Sequence, residues 1–140
     1  MKKTALVLAA SLALGGAIAS AASAAPAAAK GDKTITVGAD LTKSPIACSV
    51  DLPDVTISKK GKEKVKWSCS SDIKKLCKNL KITWYDGSPF AKEATQNSGG
   101  DWDSDDVAPD AGEKEYRYGF ALTLKDGRSC MVDPRIIVVP

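Results

Sequence analysis

Residues 115–139 have the sequence EYRYGFALTLKDGRSCMVDPRIIVV, and this stretch decides the fold. Large apolar side chains occupy every second position from Tyr116 to Leu124. Because successive side chains of a strand point to opposite faces, the run places five large apolar groups on one face. Burial of each group stabilises a fold by about 1.5–3 kcal/mol, so this strand can anchor a small core.

The same stretch continues through a turn into a second strand. Asp126 and Gly127 predict a tight turn. The β-branched run from Ile136 to Val139 predicts a strand that is covered on both faces. The carboxyl-terminal part of the chain is therefore predicted to be β structure throughout.

Upstream of this stretch, short alternating segments are separated by turn residues. They predict strands over residues 33–37, 46–50, 55–57, 65–69 and 80–84. Residues 71–79 predict either one short helix or a disulfide-bound loop. About seven short strands without βαβ spacing predict an all-β domain, an antiparallel Greek-key β-sandwich.

The amino terminus has the pattern of a bacterial secretory signal peptide. It carries two lysines, an apolar run over residues 5–19 and the tripeptide Ala-Ser-Ala at 22–24. Cleavage after Ala24 is expected, and an uncleaved anchor is the alternative. The predicted organisation is a signal peptide at 1–24, a flexible lead-in at 25–32 and a single β-sandwich domain at 33–140. We expect a periplasmic or secreted protein without a membrane span after signal removal.

The predicted mature chain is close to electrical neutrality. The signal peptide contains two of the twenty basic residues and none of the seventeen acidic ones. A nucleic-acid partner is therefore not expected. We expect a monomer whose partner is a protein or an envelope component.

The chain has four cysteines, Cys48, Cys69, Cys77 and Cys130, and all follow the export signal. An even number of cysteines in an oxidising compartment predicts two disulfides, which can pair in three ways. We favour Cys69–Cys77 as a local bridge and Cys48–Cys130 as a long one. A redox pair or a metal site is the alternative, but the sequence contains no Cys-x-x-Cys.

Charge is segregated along the chain. Residues 59–81 contain nine lysines against two acidic residues, and residues 101–115 contain seven acidic residues against one lysine. Solvated outer faces and lysine-protected edge strands explain this pattern. The alternative is a basic surface that faces an acidic partner, or an acidic loop that faces a basic one. The candidate contacts of the basic surface are Lys60, Lys62, Lys64 and Lys66.

The sequence contains no histidine. This excludes Ser–His and Cys–His dyads, histidine general bases and imidazole metal sites. The remaining groups for acid–base chemistry are carboxylates, and these cluster in a polar segment rather than in apolar surroundings. We therefore expect neither an enzyme nor a bound cofactor.

Residues 101–106, DWDSDD, are similar to a calcium-binding loop. The EF-hand pattern requires Gly at the sixth position and Glu at the twelfth, where this chain has Asp106 and Gly112. A solvated acidic loop is the favoured interpretation. A looser surface calcium site at Asp101, Asp103 and Asp105 is the alternative.

The tryptophans fall into two groups. Trp102 lies between carboxylates, which makes it a candidate exposed contact for a partner. The alternative is that Trp102 folds back over the end of the sandwich. Trp67, Trp84, Tyr116 and Tyr118 occupy inward positions, which favours a core role over a ligand platform.

Cys130 and Met131 offer two adjacent sulfur atoms, which suit Cu(I). Neighbouring residues of a strand point to opposite faces, so the pair does not chelate one ion without a bulge. Core packing with a disulfide is the favoured interpretation.

Two segments resemble a known family. Residues 55–67, VTISKKGKEKVKW, resemble the strand–turn–strand of cupredoxins, and residues 116–138 are similar to the last two strands of small exported cupredoxin-like proteins. The resemblance implies a plastocyanin-like β-sandwich. Blue-copper members bind copper with two His, one Cys and usually a Met. This chain has no His, so no copper ligand carries over, and the resemblance implies a domain without the metal.

Three functions remain compatible with these features. The expected one is a non-enzymatic exported module that binds a protein or an envelope component. The second is a metal or redox protein, such as a Cu(I) carrier or an electron-transfer relic. The third is a periplasmic inhibitor or immunity protein, which a protruding loop at 91–106 would favour and a flat-packed loop would not.

Overall fold

The computed structural model describes residues 31–140, and these form a β-sandwich that contains no helix. The predicted signal peptide at 1–24 and residues 25–30 of the predicted lead-in lie outside the described residues. Within the described part of the chain, no helix is long and apolar enough to cross a membrane.

Ten strands make up two sheets of five strands each. The strands are β1 Lys33–Asp40, β2 Ala47–Val50, β3 Asp54–Ser58, β4 Val65–Cys69, β5 Cys77–Trp84, β6 Thr95–Gln96, β7 Trp102–Asp103, β8 Glu115–Leu124, β9 Ser129–Val132 and β10 Arg135–Val139. The first sheet has the order β2-β1-β4-β7-β6. The second has the order β3-β10-β8-β5, and β9 also pairs with β8.

Two strand pairs are parallel, whereas the sequence predicted antiparallel pairing throughout. Strand β1 pairs with β4 in parallel, and β3 pairs with β10 in parallel. Both pairs join segments that are far apart in sequence. Turn residues determine only the pairing of neighbouring strands, so local turn chemistry does not reveal these two contacts.

The predicted apolar face of β8 is confirmed. Its five large side chains are buried, and they pack against inward-facing residues of both sheets. Together they form one core with Ile35, Val37, Val55, Ile57, Val65, Trp67, Ile136 and Val138.

Strand β10 is covered on one face only, which corrects the prediction of a strand buried on both faces. Ile136 and Val138 are buried in the core, whereas Ile137 and Val139 are half-buried. Strand β10 lies between β3 and β8 in its sheet, but the outer face of that sheet carries no second layer among the described residues. A run of β-branched residues indicates a strand but does not show how many faces are covered.

Residues 71–76 form a series of turns, so the loop alternative is confirmed and the helix does not form. The backbone N–H groups of Leu76 and Cys77 both donate to the carbonyl of Ile73, at 2.8 and 3.0 Å. The Cys69–Cys77 disulfide ties the end of β4 to the start of β5. The bridge thus holds the two ends of this seven-residue segment together, and the segment adopts turns between them.

Both favoured disulfide pairings are present. Cys48 of β2 is bonded to Cys130 of β9, and these strands belong to different sheets. This bridge therefore fastens one sheet of the sandwich to the other. It also closes a loop with a sequence separation of 82 residues, against 8 for the other bridge.

A buried hydrogen bond joins the centres of the two sheets. The indole N–H of Trp67 on β4 donates to the hydroxyl of Tyr118 on β8 at 3.0 Å, and neither side chain is exposed. Burial raises the pKa of Tyr118 well above its ordinary value, an effect that the hydrogen bond from Trp67 only partly offsets. The phenol is therefore neutral throughout the physiological range.

Glu63 is the one acidic residue within the core of the described chain, with 3% of its surface exposed. Its two carboxylate oxygens accept hydrogen bonds from the backbone N–H groups of Gly31 and Ser58, each at 2.8 Å. Buried charge is costly unless it is hydrogen-bonded, and these two donors supply that compensation. Glu63 thereby fixes the entry into β1 against the end of β3.

The two disulfides should contribute unequally to stability. The Cys48→Ala/Cys130→Ala variant should lower the free energy of unfolding by about 4–5 kcal/mol, and Cys69→Ala/Cys77→Ala by about 2–3 kcal/mol, because the longer loop restricts the unfolded chain more. Urea unfolding of the two double variants measures the difference. Equal losses, or a larger loss for the short loop, would contradict this account.

Tyr118 should make the fold sensitive to alkali. Because its pKa is raised by folding, its contribution to stability is complete below the ordinary tyrosine pKa of 10.0 and is lost as the pH rises above it. The free energy of unfolding should fall by about 1.4 kcal/mol per pH unit from this group alone. Tyr118→Phe should be less stable at pH 7, since the Trp67 N–H loses its acceptor, but its stability should decline less steeply above pH 10. Parallel slopes for the two proteins would count against the assignment.

Candidate functional site

An open cleft of about 300 Å³ lies where the edges of the two sheets separate. One wall is β5, at the edge of the second sheet. The other wall is formed by residues 93–94 and by Trp102 of β7 in the first sheet. The lining residues are Leu80, Lys81, Ile82, Trp84, Glu93, Ala94 and Trp102.

The alternation of β5 places the apolar lining. Leu80, Ile82 and Trp84 lie opposite Leu122, Phe120 and Tyr118 of β8, so they share the core-facing side of the sheet. Leu80 is buried, whereas Ile82 and Trp84 are half-buried. Because β5 is the last strand of its sheet, part of this apolar face extends beyond the core and reaches the cleft.

Trp84 connects the cleft to the aromatic core. Its ring centroid lies 4.8 Å from that of Tyr118 and 5.8 Å from that of Phe90. Trp67 contacts the same two rings in edge-on geometry. Trp84 therefore packs in the core, as predicted, with one part of its side chain, and the remaining surface lines the cleft.

Trp102 is not an exposed contact, which corrects that prediction. Only 7% of its surface is exposed, and on β7 it pairs with Trp67 of β4. The alternative, in which Trp102 folds back against the sandwich, describes the structure. Its indole also lines the cleft.

The structure brings the two charge-rich segments together. Lys64, which precedes β4, lies 3.3 Å from Asp106, and Lys66 of β4 lies 3.9 Å from Asp103. Asp101 lies 3.6 Å from Lys74, and Asp105 lies 3.7 Å from Lys92. Such exposed pairs contribute roughly 0–1 kcal/mol each, but they set the charge of this face.

This pairing changes the predicted partner surface. Lys64 and Lys66 already have carboxylate neighbours within the chain, so they do not form an unbalanced basic patch. Lys60 and Lys62 lie in the exposed turn between β3 and β4 and form no ion pair among the described residues. The four lysines therefore do not act as one basic surface.

A second group of lysines lies on β5 and on the turn that precedes it. Lys75, Lys78 and Lys81 are exposed, and within residues 31–140 they form no ion pair. Lys81 stands at the rim of the cleft, across from Glu93. The unbalanced positive charge of this side of the molecule is therefore beside the cleft.

The acidic loop is held by hydrogen bonds and lysines. Asp101 accepts a hydrogen bond from the Ser68 hydroxyl at 2.7 Å, and Asp103 accepts one from the Asn97 amide at 2.7 Å. Among the described residues, no group of three or more carboxylates or cysteines is placed to hold a metal ion. Asp101, Asp103 and Asp105 therefore do not form a ligand cluster for the alternative calcium site.

Cys130 and Met131 lie side by side on β9 but in different environments. Cys130 is bonded to Cys48, whereas Met131 has 64% of its surface exposed on the outer face of the sheet. In this oxidised form the two sulfur atoms do not make a Cu(I) site, because only the thioether remains as a ligand.

Where a carboxyl pKa is shifted, the shift is downward. Hydrogen bonds from Thr42, Arg135 and Arg128 lower the pKa values of Asp40, Asp54 and Asp126 respectively. A carboxylic general acid near neutral pH needs the opposite shift. On the outer face, Tyr85 donates to Asp133 at 2.6 Å, and this hydrogen bond raises the pKa of Tyr85.

Comparisons with known proteins give little guidance. No protein-family model matches the chain, and no curated protein matches its sequence. The bradyzoite-specific antigen BSR4 from Toxoplasma gondii is a structural neighbour with 13% sequence identity and a TM-score of 0.31. The match covers 71% of this chain and 50% of the antigen, so the chain spans about half the length of that protein. At this TM-score the likeness supports no conclusion about function.

Sequence reasoning missed the cleft, although part of its signal was present. The alternation of Leu80, Ile82 and Trp84 correctly predicted an inward face. The sequence did not indicate that β5 would be an edge strand, which is what leaves this face partly open. Which lysines have a carboxylate neighbour also could not be read from the sequence, because it depends on where the acidic residues lie in space.

Trp84 should be the tryptophan that small quenchers reach. The chain has three tryptophans, of which Trp67 is fully buried and Trp102 nearly so. Acrylamide should therefore quench mainly the emission of Trp84. Trp84→Phe should remove most of the quenchable fluorescence, and Trp102→Phe should leave it in place. Strong quenching in the Trp84→Phe variant would show that another tryptophan is exposed.

Proposed function

We propose that this protein is a non-enzymatic exported module that binds a polypeptide partner through the cleft between β5 and residues 93–102. The observation that carries the proposal is an open cleft whose lining combines aromatic and aliphatic side chains with polar surface. Trp84, Ile82 and Trp102 contribute to a cleft at the edge of an otherwise closed core. Apolar concave surfaces with a few polar groups at the rim are typical binding sites.

The dimensions of the cleft favour a protein partner over a free small molecule. A volume of about 300 Å³ is at the lower end for small-molecule pockets, and it accommodates one or two large side chains. The rim carries both Lys81 and Glu93, which suits a polar backbone and its side chains. Aromatic anchors of this kind commonly dominate the energetics of protein–protein contacts.

The absence of activated groups supports a binding role rather than catalysis. The sequence has no histidine, and all four cysteines are in disulfides. Hydrogen bonds lower the pKa values of Asp40, Asp54 and Asp126, which leaves these carboxyl groups unsuited to donate protons at neutral pH.

The proposed location is the periplasm or the outside of a bacterial cell. Two disulfides fit an oxidising compartment, where such bridges persist. The pattern at residues 1–24 supplies the export signal. A cupredoxin-like ancestry without copper is part of the same proposal. The two segments that resemble cupredoxins, residues 55–67 and 116–138, lie in strands of the sandwich and the turns between them.

The other functions have less support. Residues 101–106 of the loop are packed against the sandwich: Trp102 and Ser104 are buried, and Asp103 and Asp106 contact Lys66 and Lys64. A flat-packed loop does not favour an inhibitor that inserts a projecting loop into an enzyme. For a copper carrier, the disulfide at Cys130 removes the thiolate that the sequence offered.

Selection of peptides from a random displayed library tests the proposal. The mature chain should enrich sequences with a large apolar residue, and Trp84→Ala should reduce their binding by at least about fivefold, because a buried aromatic anchor contributes about 1 kcal/mol or more. Met131→Ala is the matched control, since Met131 is an exposed apolar residue on the outer face. Equal loss in both variants, or enrichment unaffected by Trp84→Ala, would refute the cleft as the binding site.

A further inference from the structure

We propose that the partner is an acidic, extended polypeptide segment that adds to β5 as a further strand. This inference rests on the proposed function and specifies the partner and the way it binds. Apolar side chains of the added strand would enter the cleft, and its carboxylates would face the lysines of the β5 edge. The proposal combines a free sheet edge, an apolar cleft and unbalanced charge at one place.

The free edge is the first part of the argument. Within the described residues, β5 pairs only with β8, so its other side has unpaired backbone N–H and C=O groups. It is eight residues long, whereas the edge strand β6 across the cleft has two. An exposed edge of this length is a template for an added strand, which would gain backbone hydrogen bonds.

A bulge limits the stretch that can pair. The register of β5 against β8 shifts between Cys77 and Asn79, next to the disulfide. Regular strand geometry therefore extends from Asn79 to Trp84. At a rise of about 3.3 Å per residue, this stretch accommodates an added strand of about six residues. Bulges interrupt ladder pairing, so the partner segment should not continue past Asn79.

The cleft gives the added strand a place for its side chains. Leu80, Ile82 and Trp84 present one face of β5, and a strand beside it has every second side chain on that same face. Those side chains would enter the space between Trp84, Ala94 and Trp102. The alternate side chains would point to the outer face, on the side where Lys81 lies.

The charge identifies the chemistry of the partner. Lys64, Lys66, Lys74 and Lys92 are each within 4 Å of a carboxylate of the loop at 101–106. Lys75, Lys78 and Lys81 form no ion pair within the described chain. The surface beside the free edge therefore carries positive charge without a counter-charge among the described residues. An acidic segment complements it.

The same lysines argue against a second copy of this chain as the occupant. If two β5 edges paired with each other, Lys78 and Lys81 of one copy would meet lysines of the other. Like charges on adjacent strands are destabilising, which is how edge lysines prevent self-association. An acidic strand meets no such repulsion. The lysines of the β5 edge would therefore oppose self-association and favour an acidic partner.

Three capped nine-residue peptides test the inference against the mature protein. Valine alternates with glutamate in the first, with threonine in the second and with lysine in the third. Binding is followed by isothermal titration calorimetry, which also reports on variants that lack Trp84. The glutamate peptide should bind about threefold more tightly than the threonine peptide, as expected for one cross-strand charge pair at Lys81 with Lys78 beside the bulge, and the lysine peptide should not bind detectably. The preference should shrink in 0.5 M salt, where the screening length is about 4 Å.

Surface variants and a modified peptide separate the parts of the argument. Lys78→Glu/Lys81→Glu should reverse the preference toward the lysine peptide, whereas Lys60→Glu/Lys62→Glu, a matched charge reversal on an exposed turn, should leave it unchanged. N-methylation of alternate amides along the pairing edge of the glutamate peptide should abolish binding, since it removes the backbone donors.

The outcomes distinguish the two proposals. Equal binding of the glutamate and threonine peptides, sensitive to Trp84→Ala, would overturn the acidic partner and leave the cleft as the binding site. Binding unaffected by N-methylation would overturn strand addition. No binding of any peptide, together with a failed library selection, would overturn both proposals.

Discussion

The contact between Tyr118 and Trp67 holds the two sheets together at their centres, and the rest of the sandwich is arranged around it. Tyr118 belongs to β8, whose five large side chains form one wall of the core. Trp67 belongs to β4, the middle strand of the opposite sheet. Because the indole donor and the phenol acceptor satisfy each other, two polar atoms are buried without an unpaired group. The Cys48–Cys130 bridge fastens the same two sheets at the other side of the molecule.

The cleft is a consequence of this arrangement. Strand β5 is attached to the sandwich through β8 alone, and the opposite sheet ends in two short strands that do not extend over it. The apolar face of β5 therefore begins in the core at Leu80 and ends half-exposed at Trp84. Meanwhile the acidic loop folds onto β4 and balances its lysines, which leaves the lysines of the β5 edge without counter-charge. The partly exposed apolar face and the lysines without counter-charge therefore both lie at the β5 edge.

Much of the fold could be predicted from the sequence because its signals are local. The period of two in residues 116–124 placed five side chains correctly, and the count and spacing of cysteines led to the correct bridges. The parallel pairs β1–β4 and β3–β10 could not be predicted, since the two strands of each pair are far apart in sequence and no single turn connects them. Trp102 was ambiguous for a related reason: its neighbours are acidic, but its burial depends on pairing with Trp67 in another part of the chain. The site lies at the edge of a sheet, and its position could not be predicted because local periodicity does not determine the order of the strands.

The most direct test of the account is residue-resolved amide hydrogen exchange in β5, since the central claim is that this strand has a free edge that accepts another strand. In the unbound protein, alternate amides between Asn79 and Trp84 should exchange rapidly, because successive N–H groups point to opposite sides and only one side faces β8. Addition of the acidic peptide should slow those amides and leave the edge strand β3 unchanged. Uniform protection of β5 before any peptide is added would show that its edge is already covered, and the account would then be wrong.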